Sequence, residues 1–266
     1  MSHKTKLVAL DIDGTLLEPG AALDAVPNDA LVEAVAALQA RDIIVMLATG
    51  RMYPGTVPIA ERLGIKEPMI CQQGASVHES DGSLRHGFTI DQDIARELYE
   101  YATSHGYSLS WFDQQRYLVT RRTQAAEFFA AVSGVEIEVH PSPHESGVRA
   151  TGIDIISDDK VSTDVHRFLE ARYGNRVSLL DFTTVTAVHA PGASKGNALA
   201  QIARELKIEQ SEVLAIGDGI NDVSMLAWAG QSATPAHGDT FAKDSAKEVL
   251  EGEGVSGVVA RLLAVL

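Results

Sequence analysis

The chain has 266 residues, 45% of them hydrophobic and 22% charged, the composition of a folded soluble protein of about two domains. With 36 acidic against 22 basic residues its formal net charge is -14, which disfavours nucleic acid and anionic membrane surfaces as partners. The single cysteine, Cys71, excludes an intrachain disulfide and a cysteine-built zinc site, and fits a reducing cytoplasm. No apolar run is long enough for a membrane span or a signal-peptide core, so a cytoplasmic location is expected.

Leu7 to Leu10 reads as a short strand buried on both faces, ending in Asp11-Ile12-Asp13-Gly14-Thr15. Asn28 and Asp29 offer an N-cap to a helix carrying Leu31, Val32, Val35 and Leu38 on one face. A second strand, Ile43 to Ala48, ends in Thr49-Gly50-Arg51. A helix from Pro54 to Leu63 and a third strand, Met69 to Cys71, follow. This β-α-β-α-β order predicts a Rossmann-like parallel sheet with helices on each face, an α/β core.

The middle of the chain changes character. A helix over 91–105 is followed by alternating segments at Tyr107–Phe112 and Tyr117–Arg121, read as half-buried antiparallel strands. A helix over 123–132, a strand over 152–157, a helix over 160–173 and strands over 176–180 and 185–190 complete an α+β block. From Ser194 the α/β pattern returns: a helix from Gly196, a buried strand Val213 to Gly217 ending in Asp218-Gly219-Ile220-Asn221-Asp222, and a closing helix over 257–266.

In an open parallel sheet ligands bind at the carboxyl ends of the strands. The clusters Asp11/Asp13, Thr49/Gly50 and Asp218/Asn221/Asp222 should therefore meet, though each alone could be an ordinary strand-to-helix turn. The four specified positions of Asp-x-Asp-Gly-Thr arise by chance in roughly 1 in 600 chains of this length. Converging carboxylates repel unless a cation lies among them, and their hard oxygens suit Mg²⁺; a solvated acidic rim is the bland alternative. Thr49, Gly50 and Lys195 supply a hydroxyl, backbone amides and a positive charge for an anion.

Together these residues resemble the haloacid dehalogenase superfamily of phosphatases. Asp11–Thr15 resembles its first motif, Thr49 the second, Lys195 the third and Gly217–Asp222 the fourth. Arg51 after Thr-Gly, and the long α+β insertion, resemble the Cof-like type IIB branch. The resemblance implies a core of residues 1–85 and 189–266, with an inserted α+β cap of residues 86–188. It implies hydrolysis of phosphate monoesters of small metabolites, such as sugar phosphates. Asp11 would be the nucleophile and Asp13 the general acid and base. Mg²⁺ would be held by Asp11, Asp13 (through its carbonyl) and Asp218. Phosphate would be held by Ile12, Thr49, Gly50, Lys195 and Asn221, with Asp222 and Arg51 as supporting residues. Trp111, Arg116 and Arg149 of the cap are the candidate contacts to the rest of the substrate, although Trp111 reads first as cap core. Gln73 stands where the family commonly has Asn. A phosphomutase of the same fold, and a phospho-accepting signalling module, use related chemistry; the module is usually half this length and has no cap.

Overall fold

The computed structural model describes residues 4–266. In chain order the elements are β1 (Leu7–Leu10), α1 (Asp29–Gln39), β2 (Ile44–Leu47), α2 (Tyr53–Leu63), β3 (Met69–Cys71), β4 (Ser76–His78), β5 (Leu84–Gly87), α3 (Gln92–Ser104), β6 (Ser108–Phe112), β7 (Tyr117–Val119) and α4 (Gln124–Ser133). There follow β8 (Ile137–Val139), β9 (Gly152–Ile156), α5 (Ser162–Tyr173), β10 (Ser178–Phe182), β11 (Val185–His189), α6 (Lys195–Glu205), β12 (Val213–Ile216), α7 (Val223–Trp228), β13 (Gln231–Thr234), α8 (Thr240–Ser245), β14 (Glu248–Val249) and α9 (Ser256–Leu263).

Two compact units result. The first comprises the chain up to Gly50, Thr56–Arg85 and Ser194–Leu266; the second comprises Arg51–Gly55 and His86–Ala193. The segment Arg51–Gly55 groups with the second unit for a local reason. The Met52 amide donates to Ser133 Oγ at 3.2 Å, and a Cβ on Gly55 would lie 2.1 Å from the Val132 carbonyl oxygen.

The first unit is built on a parallel sheet of order β14-β13-β12-β1-β2. Its central strands are apolar at every position because both faces are covered, which is the pattern the sequence carries. Leu7 and Ala9 pack with Met46, Val213, Ala215 and the α6 residues Leu199 and Ile202. Each such buried aliphatic side chain contributes about 1.5–3 kcal/mol. β3 extends this sheet through a single parallel bridge, Ala48 to Ile70, and pairs on its other side with β4. Cys71 lies in β3, fully buried beside Thr56, and burial pushes its thiol up to about 12, so it is core. β13 was not expected: Gln231-Ser232-Ala233-Thr234 has neither an apolar run nor alternation. Its ladder with β12 specifies it, and the Ser232 hydroxyl is used by the Lys247 amide.

The second unit holds a six-stranded mixed sheet of order β10-β11-β9-β6-β7-β8. β6 and β7 form the expected antiparallel pair but are buried at every residue rather than half-buried. Leu109 and Trp111 of β6 face α3 and α5, packing with Leu98, Val165 and Leu169. Phe112, Tyr117 and Val119 face the other way and pack with Ala126 and Ala130 of α4. No helix of the described residues is long and apolar enough to cross a membrane.

Candidate active site at the strand ends of the first unit

The parallel ladder between β1 and β12 runs one residue past β1, with the Asp11 amide donating to the Ile216 carbonyl at 3.0 Å. The chain then folds into a tight turn. The amides of Leu16 and Leu17 both donate to the Ile12 carbonyl at 2.9 Å, and the Gly14 amide donates to the Leu17 carbonyl at 2.9 Å. Gly14 has φ +86°, and a Cβ there would lie 2.1 Å from Asp218 Oδ2, so this position accepts only glycine. The turn leaves Asp11 buried and Asp13 exposed at the mouth of the site.

Lys195 opens α6, whose N-cap Ser194 accepts a hydrogen bond from the Asn197 amide. The lysine is fully buried, and its ammonium donates to Asp11 Oδ1 at 2.6 Å and to Asp222 Oδ1 at 2.7 Å. Asp222 uses its second oxygen too: Oδ2 accepts from the Asp218 amide at 2.9 Å and the Gly219 amide at 3.0 Å. Asp218 Oδ1 accepts from the Thr15 hydroxyl at 3.1 Å. Carboxylate oxygens of Asp11, Asp218 and Asp222 all lie within 4.8 Å of one another.

Charge is unbalanced here. Burial raises Asp11 well above the ordinary carboxylate range, and Asp222, Asp218 and Asp13 add to the effect while Lys195 opposes it. Burial, then Asp222, pushes Asp218 up to about 6 against the Thr15 hydrogen bond, Lys195 and His237. Burial alone would lower Lys195, but Asp11 and Asp222 outweigh it and hold the ammonium above its ordinary value. One fixed cation thus serves a crowd of acids. A hard divalent cation fits the donor set that remains, because Asp11 Oδ2 and Asp218 Oδ2 carry no hydrogen bond among the described residues. Asp222 belongs to the acidic cluster by proximity, but its oxygens are already committed to Lys195 and two amides.

Thr49 is buried at the end of β2; its amide donates to the Ile70 carbonyl at 2.8 Å, and its carbonyl accepts from the Gln73 amide at 3.1 Å. Gln72 and Gln73 have φ of +50° and +58°, a conformation uncommon outside glycine and a mark of stored strain. The result is that Gln73 Oε1 accepts from Asn221 Nδ2 at 3.2 Å. The same amide group lies against Gly50, where a Cβ would be 2.4 Å from Gln73 Nε2.

The model of haloacid dehalogenase-like hydrolases matches residues 8–262. The chain belongs to that family. It is 27% identical to the phosphatase YwpJ of Bacillus subtilis, over 97% of this chain and 100% of that one. It is 29% identical to a phosphoglycolate phosphatase of Halorubrum lacusprofundi, over 96% of each chain. A haloacid dehalogenase-like hydrolase of B. subtilis has a matching structure with TM-score 0.85 and 25% identity, covering 98% of this chain and 100% of the other. The fold of a haloacid dehalogenase subclass IIB sugar phosphatase also matches, with TM-score 0.82 and 19% identity over 98% and 100% of the two chains.

In the second unit of this hydrolase the three cap residues singled out from sequence have different surroundings. Trp111 is core: it is buried among α3 and α5, and its indole N–H donates to the Val148 carbonyl at 2.9 Å. Arg116 is committed to Glu138 through two hydrogen bonds, at 2.9 and 2.6 Å, across the β7–β8 edge. Arg149 is exposed beside a cavity of about 710 Å³ that Asp91, Asn175 and Arg176 also line. Arg51 is buried, and its guanidinium donates to the Gly55 carbonyl at 3.3 Å. Sequence reasoning missed two residues of the first unit. Thr15 lies in the first motif, where the resemblance implies no role for it, and its hydroxyl bonds Asp218. His237 lies in the loop after β13, where no pattern marks it, and its Nε2 is 2.6 Å from the Gly14 carbonyl oxygen.

Proposed function

We propose that this hydrolase is a Mg²⁺-dependent phosphatase acting on phosphate monoesters of small metabolites through an aspartyl-phosphate. The observation that carries the reading is the buried Lys195 ammonium bridging Asp11 and Asp222 within reach of Asp218. The phosphatases among its relatives support the same chemistry.

Asp11 is the nucleophile, and the hydrogen bond from Lys195 to its Oδ1 fixes the direction from which the carboxylate meets phosphorus. Asp13 donates the proton to the departing alkoxide and then takes one from the water that cleaves the acyl phosphate; its exposed position suits exchange with solvent. Lys195, Thr49, Gly50, Asn221 and the Ile12 amide hold the non-bridging oxygens as charge builds on them. Gln73 orients Asn221, and Asp222 orients Lys195. A Mg²⁺ ion held by Asp11, Asp218 and the Asp13 carbonyl would offset the repulsion between carboxylate and phosphate.

The test is release of inorganic phosphate from a panel of sugar phosphates, 2-phosphoglycolate and 4-nitrophenyl phosphate. Chelator should silence the enzyme, and Mg²⁺ should restore it better than Ca²⁺, whose longer bonds and higher coordination number suit the in-line geometry poorly. Full turnover in excess chelator contradicts the metal assignment, and failure to cleave any ester contradicts the reaction class.

A further inference from the structure

Three loops leave the same edge of the parallel sheet side by side: the turn after β1, the loop after β12, and Pro235–Asp239 after β13. The third has been given no part in the reaction, yet it is tied to both of the others. The Asp239 amide donates to the Asp218 carbonyl at 2.8 Å. The Gly238 amide closes a turn on the Pro235 carbonyl at 2.9 Å, and a Cβ on Gly238 would lie 3.2 Å from the Asp218 carbonyl oxygen. From this anchored turn the His237 ring reaches past the β12 loop to the Gly14 carbonyl, 2.6 Å from Nε2. A carbonyl only accepts, so Nε2 carries the proton and donates.

Gly14 is the residue with the greatest backbone freedom in the first motif, and it stands between Asp13 and Thr15. Its amide is fixed by the Leu17 carbonyl, and its carbonyl by His237. With both flanking peptides held, Gly14 cannot swing, and the residues on either side keep their directions. One of them, Thr15, is bonded to Asp218. The other is Asp13, which is exposed and has to meet a leaving oxygen.

We propose that His237 is a positioning residue for the general acid: by holding the Gly14 carbonyl it fixes the turn from which Asp13 protonates the leaving group. This rests on the reading of Asp13 given above. It assigns the β13 loop a part in the protonation step.

The experiment compares His237→Ala and His237→Gln with the parent enzyme and with Asp13→Asn, using single-turnover rates that isolate phosphoryl transfer. The substrates are glycerol 3-phosphate, whose alkoxide needs a proton, and 4-nitrophenyl phosphate, whose phenolate leaves unaided. His237→Ala should slow the first about tenfold, equivalent to ~1.4 kcal/mol and of the size of one hydrogen bond. It should slow the second less than about threefold, with half-saturating concentrations within about twofold for both. His237→Gln places an amide N–H where Nε2 stands and should recover most of the lost rate. Equal losses on both substrates, or a glutamine variant no better than alanine at unchanged melting temperature, overturn the proposal. A leaving-group effect in Asp13→Asn but not in His237→Ala removes His237 alone. Its absence in both removes the role of Asp13 and this inference with it.

Discussion

Asp154 sits in the middle of β9, 7% exposed, with Ser110 of β6 and Ala187 of β11 directly opposite. Its side-chain carboxyl has no hydrogen bond or ion pair among the described residues, and burial alone pushes it from 3.8 up to about 7. Its folded value lies above its unfolded value, so the folded state holds the proton more tightly. Stability is therefore lost as pH rises from about 4 to about 7. A shift of about three pH units corresponds to roughly 4 kcal/mol lost above pH 7, and to roughly 1.5 kcal/mol at pH 5. Asp154→Val removes the charge, leaves no buried polar atom and suits a strand. The variant should therefore melt higher than the parent, and its advantage should be larger at pH 8 than at pH 5 by roughly 2–3 kcal/mol. With an unfolding entropy of about 2.1 cal/mol/K per residue, that difference amounts to about 4–5 °C for the whole chain. Thermal melts of both proteins at the two pH values provide the assay. An equal advantage at both pH values, or a smaller one at pH 8, would refute the claim that an unpaired carboxylate is buried there.

Lys195→Met should abolish phosphate release. It should also lower stability at pH 8 by roughly 3–5 kcal/mol, because Asp11 and Asp222 would face each other in the buried site without their cation; melting and turnover measured together check this. Trp111→Ala should cost about 3–5 kcal/mol by leaving a cavity between β6 and the helices α3 and α5. Its kcat/KM values for different phosphate esters should fall in parallel if they fall at all, whereas a selective loss for one ester would return Trp111 to substrate recognition.

The uniformly apolar strands Leu7–Leu10 and Val213–Ile216 made the parallel sheet legible, since burial on both faces leaves one kind of residue at every position. The polar clusters at their ends were legible for the same reason, being abrupt changes of chemistry where the sheet stops. Asp11, Asp218, Asp222 and Lys195 do stand together, although 184 positions separate the two partners of the Asp11–Lys195 hydrogen bond. Trp111 reads first as cap core and is core; substrate contact stayed open as the alternative because β6 is covered on both sides, and alternation then gives no solvent-facing partner from which to tell the two faces apart. The Arg116–Glu138 pair was not legible because Glu138 lies on a three-residue strand too short for any periodicity to register. Gln231–Thr234 and His237 escaped because a strand of small and polar residues, and a histidine in its following loop, owe their roles to neighbours distant in sequence.

As the nucleophile proposed above, Asp11 becomes covalently phosphorylated during turnover. Acid quench during steady turnover of a good substrate, followed by proteolysis and mass measurement, tests it directly. The peptide holding Asp11 should carry one phosphoryl group, which borohydride converts to the corresponding alcohol, and Asp11→Asn should show neither the adduct nor turnover. A phosphoryl group on another residue, or an Asp11→Asn enzyme that keeps more than a few per cent of its activity, would contradict the assignment.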